Sequence, residues 1–167
     1  WHSTMDAAAA FHQVGMDPSS IEMTAVITHV GQFEWLRMPF GLTNAPAHMQ
    51  QLMDDVLMGL PLTRCARFID DVRVSSPDFD AHLKDLEEVF DRFVQRKLKL
   101  RLDKCRFFNR QIVFLGHLIT REGVKPDPGK TAAIEHLPSP GDRSALQSAM
   151  GTLGYYRKFV EKYAWHA

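Results

Sequence analysis

Arg64-Cys65-Ala66-Arg67-Phe68-Ile69-Asp70-Asp71-Val72-Arg73-Val74-Ser75 is the stretch that decides the fold. Two strand-like runs, Arg64 to Ile69 and Val72 to Ser75, meet at an aspartate pair with so little chain between them that only a tight antiparallel hairpin can join them. The aspartates then sit at its tip. Adjacent like charges on a turn are unfavourable unless cations neutralise them, although Asp also favours turns for its own backbone hydrogen bonding. Working outward, Asp6 closes a strand at the start of the chain. If that strand lies beside the 64–75 hairpin, Asp6 and Asp70 can hold two Mg²⁺ ions about 3.5–4 Å apart, with Asp71 completing the cluster. Carboxylates are the hard oxygen donors that Mg²⁺ prefers. A second pair, Asp54-Asp55, falls on the polar face of a helix predicted over 44–60 and reads as solvated.

The rest of the chain alternates short strands and helices without repeats. Thr24 to His29 and Gln32 to Met38 read as a hairpin around Val30-Gly31. Met49, Leu52, Met53, Val56, Leu57 and Leu60 recur at helical spacing from Asn44 onward. Ser76 followed by Pro77 reads as an N-cap and first helical position, opening a helix through Phe79, Leu83, Leu86, Val89, Phe90, Phe93 and Val94. Strands follow at Arg106 to Phe108 and Val113 to Thr120. Pro126, Pro128, Pro138 and Pro140 then punctuate a change to helices near 129–136 and 142–163, which places a subdomain boundary near Lys125. The expected class is α+β, a small antiparallel sheet packed by helices, organised as 1–124 and 125–167.

Composition narrows the function classes. At 167 residues and 45% hydrophobic, the chain can bury a core. It has no apolar run of about 18 residues, so no membrane association is expected, and an intracellular setting, cytoplasmic or nuclear, is the default expectation. Cys65 and Cys105 lack metal-ligand spacing and read as two reduced, packed thiols. The net charge of zero hides a partition: residues 1–91 carry five Lys/Arg and fourteen Asp/Glu, whereas 92–130 carry eleven and three. A polyanion could lie along the basic stretch from Arg92 to Lys130 while the acidic part keeps carboxylates for metal ions; solvated helix faces would give the same pattern.

Three stretches in fixed order identify a family. Ser3-Thr4-Met5-Asp6-Ala7-Ala8-Ala9-Ala10-Phe11-His12-Gln13-Val14 resembles polymerase motif A. Met38-Pro39-Phe40-Gly41-Leu42-Thr43-Asn44-Ala45-Pro46-Ala47-His48-Met49-Gln50 resembles motif B, and Phe68-Ile69-Asp70-Asp71 resembles the Tyr-x-Asp-Asp box of motif C. Together they resemble the reverse transcriptase of Gypsy-type long-terminal-repeat retrotransposons. The likeness continues through Lys99 to Phe108, Phe114 to His117 and Gly154 to Phe159, so it covers nearly the whole chain.

The resemblance implies a polymerase palm followed by a partial helical thumb, with the fingers expected upstream. It implies RNA-directed DNA polymerase activity, a two-metal nucleotidyl transfer from dNTP to a primer 3′-hydroxyl. Asp6, Asp70 and Asp71 would be catalytic and, with the Ala7 carbonyl, would ligate two Mg²⁺ ions, Mn²⁺ being able to substitute. Ala10, Phe11, Phe40, Gly41 and Lys104 would contact the nucleotide. Phe11 would exclude a ribose 2′-hydroxyl, or else is a core aromatic; Lys104 would protonate departing pyrophosphate, face phosphate or be solvated. Phe114, Leu115, Gly116 and His117 would grip the primer end. Implied partners are an RNA or DNA template with primer, dNTPs and the remainder of a polyprotein carrying fingers, ribonuclease H and integrase.

This sequence departs from the family pattern at Ala10 (usually Gly), Phe68 (usually Tyr), Met49 (usually Phe) and Arg73 (usually aliphatic). Arg73 could perturb the hairpin or pair with a nearby carboxylate. The alternative function is an inactive or domesticated retroelement fragment that binds nucleic acid or a protein.

Overall fold

The computed structural model describes residues 1–166. Strand β1 (His2–Asp6) is followed by three short 3₁₀ turns, a small hairpin of β2 (Val26–Thr28) and β3 (Gly31–Phe33), and helix α1 (Ala45–Val56). Next come β4 (Cys65–Phe68), β5 (Asp71–Ser75), helix α2 (Phe79–Gln95) and β6 (Arg106–Asn109). A hairpin forms within 24–38 as expected, but its two-residue loop is His29-Val30 rather than Val30-Gly31, Gly31 already pairing with Thr28, and its strands are shorter than the pattern suggests.

The central sheet has the order β4-β5-β1-β6, so the N-terminal strand does insert beside the 64–75 hairpin. Every pairing in it is antiparallel. Alternation does the rest: Ser3 and Met5 of β1 and Val72 and Val74 of β5 face the core, while Asp6, Asp71 and Arg73 face the other way. The core face is closed by Met49, Met53, Val56 and Leu57 of the first helical segment and by Leu86, Val89 and Phe93 of α2. Burying a Met or Leu side chain contributes about 1.5–3 kcal/mol, so these side chains hold both helices against the sheet.

The second helix starts later than its sequence suggests. Asp78, not Ser76, is the N-cap, its carboxylate accepting from the Ala81 N–H at 2.8 Å. Ser76 is buried instead, its hydroxyl donating to Asp85 at 2.6 Å and bonding His82 Nδ1 at 2.9 Å. The other ring nitrogen, Nε2, meets the Ser3 hydroxyl at 2.7 Å. His82 therefore occupies a fully buried position on the core face, while Leu83 and Val94, expected there, are exposed. A histidine can occupy that position because both ring nitrogens find partners.

Contacts divide the chain into Trp1–Asn109 and Arg110–Ala167. The division falls at Arg110 rather than near Lys125. The second unit holds β7 (Ile112–Phe114), β8 (His117–Thr120) and β9 (Gly123–Pro126) in a three-stranded sheet, then α3 (Pro128–Glu135), α4 (Arg143–Tyr155) and α5 (Tyr163–His166). Strand β9 has no counterpart in the sequence reading, and the helix expected near 142–163 ends at Tyr155 and gives way to a 3₁₀ turn, Arg157–Phe159. The 114–117 hairpin groups with these helices because the Tyr155 hydroxyl donates to the Leu115 carbonyl at 2.7 Å. No described helix is long and apolar enough to cross a membrane.

Candidate active site

The site is built on the open face of the four-stranded sheet. Asp6 and Asp71 stand directly opposite each other in the β1–β5 register. Directly opposed like charges destabilise a sheet, so this pair carries a cost. Asp70 lies in the two-residue turn between Phe68 and Asp71, its carbonyl accepting the Ala7 N–H at 3.0 Å. Burial, then the nearby Asp70 and Asp6 carboxylates, push the Asp71 carboxyl above its ordinary range, while Lys104 opposes the rise.

The turn itself is strained. Tight hairpins need a positive φ at the first loop position, usually supplied by glycine, but here Ile69 adopts φ 54°. A β-branched residue in that region is an outlier that must be held by its surroundings. The holding group is Gln50 of α1, whose side-chain oxygen accepts the Ile69 N–H at 2.8 Å. Sequence reasoning gave Gln50 no task, although its place in motif B was the available signal.

Asp54 of the Asp54-Asp55 pair is more engaged than the solvated reading expects. Asp54 accepts from Arg67 Nε at 2.5 Å, and that bond, ahead of a weaker one from Gln50, holds its carboxyl below the usual range. Asp55 is exposed. Arg73 sends its guanidinium to the Leu62 and Thr63 carbonyls at 3.1 and 3.4 Å, towards the start of β4.

Lys104 reaches Asp6 Oδ2 at 3.3 Å, which brings it to the carboxylate cluster. Ala7 is buried, and its bridge to Leu100 runs through flanking bonds, Ala8 N–H to the Lys99 carbonyl and Arg101 N–H to the Asp6 carbonyl. Among the described residues no three His, Cys, Asp or Glu side chains are already gathered as a ready-made metal site. The donor chemistry nonetheless suits a hard divalent cation: Asp6, Asp70 and Asp71 are carboxylates, and Asp71 is raised first by burial and then by the charges of the other two. Such a cation would have to take Asp6 from Lys104.

A second cluster sits on the 3₁₀ turn that follows. Phe11 packs edge-on against Phe40 at 5.4 Å, and His12 packs on Phe40 at 5.0 Å and stacks on Trp35 at 5.4 Å. Phe40 is 67% exposed, and the adjoining Gly41 takes φ 93°, which favours glycine. Ala10, expected at the nucleotide, is buried in the core behind Phe11. The two motifs are tied directly, Met38 N–H donating to the Val14 carbonyl at 3.0 Å. In the second unit the Leu115-Gly116 turn carries positive φ at both residues, and the His117 ring lies 5.3 Å from Tyr155 and 5.7 Å from Phe159. Cys65 and Cys105 are free and buried, and burial pushes the Cys65 thiol up to about 11.

A sequence profile described as reverse transcriptase (RNA-dependent DNA polymerase) matches residues 1–119. The chain belongs to the reverse transcriptase family. Its similarity to retroelement reverse transcriptases is close: it is 42% identical over 164 residues to the retrovirus-related Pol polyprotein from transposon 297 of Drosophila melanogaster, covering 98% of this chain and 16% of that protein. Against the Pol polyprotein from transposon gypsy of the same organism the identity is 30%, covering 97% and 16%. The chain thus spans about a sixth of the length of these relatives. The foamy viral protease-reverse transcriptase in complex with double-stranded DNA superposes with a TM-score of 0.91 at 28% identity, covering 98% of this chain and 28% of that one. The same viral protein in complex with an RNA/DNA hybrid gives 0.81 at 28% identity, covering 93% and 21%. Fold class and reverse transcriptase membership therefore agree with the motif reading.

Proposed function

We propose that this chain is the palm and the start of the thumb of an RNA-directed DNA polymerase belonging to a retroelement polyprotein, and that Asp6, Asp70 and Asp71 form its nucleotidyl-transfer centre. The observation that carries this reading is the register that sets Asp6 opposite Asp71, beside Asp70 on a strained turn. Divalent ions, Mg²⁺ or Mn²⁺, would neutralise charge on the triphosphate and favour in-line attack when bound.

The chain's own residues then act by position. Asp6 and Asp70 would hold the cations, and Asp71 would add charge beside them. Lys104, which pairs with Asp6 at 3.3 Å, would on release from it protonate departing pyrophosphate. Phe11 and exposed Phe40 form one wall for the sugar and base of a dNTP. The 114–117 hairpin supports the primer end, and template reading is left to base pairing, with phosphate contacts that carry little sequence preference. Regions of the polyprotein outside this chain would complete the fingers, ribonuclease H and integrase.

The second reading, an inactive fragment that binds nucleic acid or protein, rests on Asp6 being engaged by Lys104. One experiment separates them. Residues 1–167 are placed in the matching segment of the transposon 297 polyprotein and assayed for extension of a DNA primer on an RNA template with Mg²⁺ and dNTPs. Extension that falls about 10³-fold or more in Asp70→Asn, equivalent to about 4 kcal/mol of barrier, supports the polymerase. A folded chimera that never extends supports the remnant.

A further inference from the structure

A concave site lies beside motif A, and every charged Arg, Lys, Asp or Glu side chain that lines it is a cation. Arg37, Arg96, Lys97 and Lys99 surround a cavity of about 600 Å³ in the first unit. No Asp or Glu lines it among the described residues, and none of these four cations takes part in an ion pair there. That is unusual placement in a unit whose first 91 residues carry nine more acidic than basic side chains. Like charges gathered in a concavity repel, and a concave wall concentrates their field on whatever enters.

The frame of this cavity is fixed. Gln13 acts as its hinge pin: its side-chain nitrogen donates to the Ala8 and Lys99 carbonyls at 2.6 and 3.0 Å, and its side-chain oxygen accepts the Lys99 N–H at 2.7 Å. Its own carbonyl accepts from Arg37 Nη1 at 3.1 Å. Two cation-bearing segments distant in sequence are thereby locked to the motif A turn. Leu52 and Leu98 give the cavity an apolar floor. Mobile lysines on an open surface would have neither the fixed backbone nor the floor.

We infer that this cavity is a binding site for linked phosphate groups, distinct from the carboxylate cluster and independent of whether that cluster is catalytic. The phosphates would come from the oligophosphate of a free nucleotide or from the backbone of a nucleic-acid strand. Arg37 and Arg96 offer planar donors and Lys97 and Lys99 point charges, a mixture that suits successive phosphates. Its size lies within the range of small-molecule sites.

The test measures binding of inorganic tripolyphosphate and, separately, of a short fluorescent single-stranded DNA to the full chain. Both are run in EDTA, so that Asp6, Asp70 and Asp71 repel the probe instead of holding it through a metal. The variant Arg96→Gln/Lys97→Gln/Lys99→Gln changes only exposed side chains and should keep the parent's melting temperature. Affinity is expected to fall at least roughly tenfold, and the log–log salt slope for DNA to become shallower by about 2 for three lost contacts.

Arg96→Gln alone gives the same effect on a smaller scale. An equal charge change in the other unit, Arg121→Gln/Lys125→Gln/Lys130→Gln, should leave tripolyphosphate binding unchanged. Tripolyphosphate binding without DNA binding assigns the site to a nucleotide; DNA that displaces tripolyphosphate assigns it to a strand. The inference is overturned if neither probe binds, if the first variant binds like the parent, or if both triple variants weaken binding equally.

Discussion

Gln50 and His82 each hold a feature that would not persist alone. The Ile69 N–H has the Gln50 side chain as its partner, and the turn it serves carries an unfavourable φ. Gln50→Met keeps the volume and removes the acceptor, so it should cost about 1–3 kcal/mol, read as a lower urea midpoint with an unchanged slope. His82 makes a different prediction. Burial first, then the N-terminal ammonium, lowers its pKa against an opposing pull from Asp85. The unfolded chain therefore takes up the proton before the folded one does. Stability is full above about pH 6.5, the ordinary histidine value, and is lost as pH falls below it. His2, lowered chiefly by burial, has the same sign, and Asp71, raised chiefly by burial, has the opposite one. His82→Gln should flatten the decline between pH 7 and pH 5 in denaturation experiments.

At the scale of elements, the sheet depends on two helices that differ in how openly the sequence declares them. The α1 stripe was legible because Met49, Met53, Val56 and Leu57 repeat at helical spacing and are all buried. Met53→Ala should cost about 2–5 kcal/mol, measured as a lower denaturant midpoint. The α2 start is not legible because Ser76-Pro77 has the form of a cap, whereas the actual cap is Asp78. Burial of Ser76 against His82 decided the matter, and tertiary partners of that kind leave no local pattern. The same holds for the candidate site. That Asp6 and the Asp70-Asp71 hairpin are neighbours could be anticipated from strands that need pairing, yet the Asp6–Lys104 pair spans 98 positions and the Arg67–Asp54 pair joins an edge strand to a helix. Neither has a periodicity to read.

Across the whole molecule, burial is unevenly shared. The first unit holds a continuous core from Met5 to Cys105, whereas the buried apolar and aromatic residues of the second are Ile112, Ile119 and Tyr156 among the described residues. Opening free energies follow buried contact, so amides of β7–β9 and α4 should exchange at least about tenfold faster than those of β1 and β5. The boundary at Arg110 has the same origin: proline punctuation pointed to Lys125, but the hydrogen bond from Tyr155 and the aromatic contacts around His117 draw the 112–120 strands to the helices. Prolines mark where regular structure stops, not which unit a hairpin joins.

If Asp6, Asp70 and Asp71 form one divalent-cation site, Mn²⁺ titration of the chain followed by electron paramagnetic resonance will detect it. Bound Mn²⁺ should be detected on the parent chain and fall at least about tenfold in affinity in Asp6→Asn and in Asp71→Asn, while Asp55→Asn on the α1 surface leaves it unchanged. Equal Mn²⁺ binding by the parent, Asp6→Asn and Asp71→Asn would contradict the account.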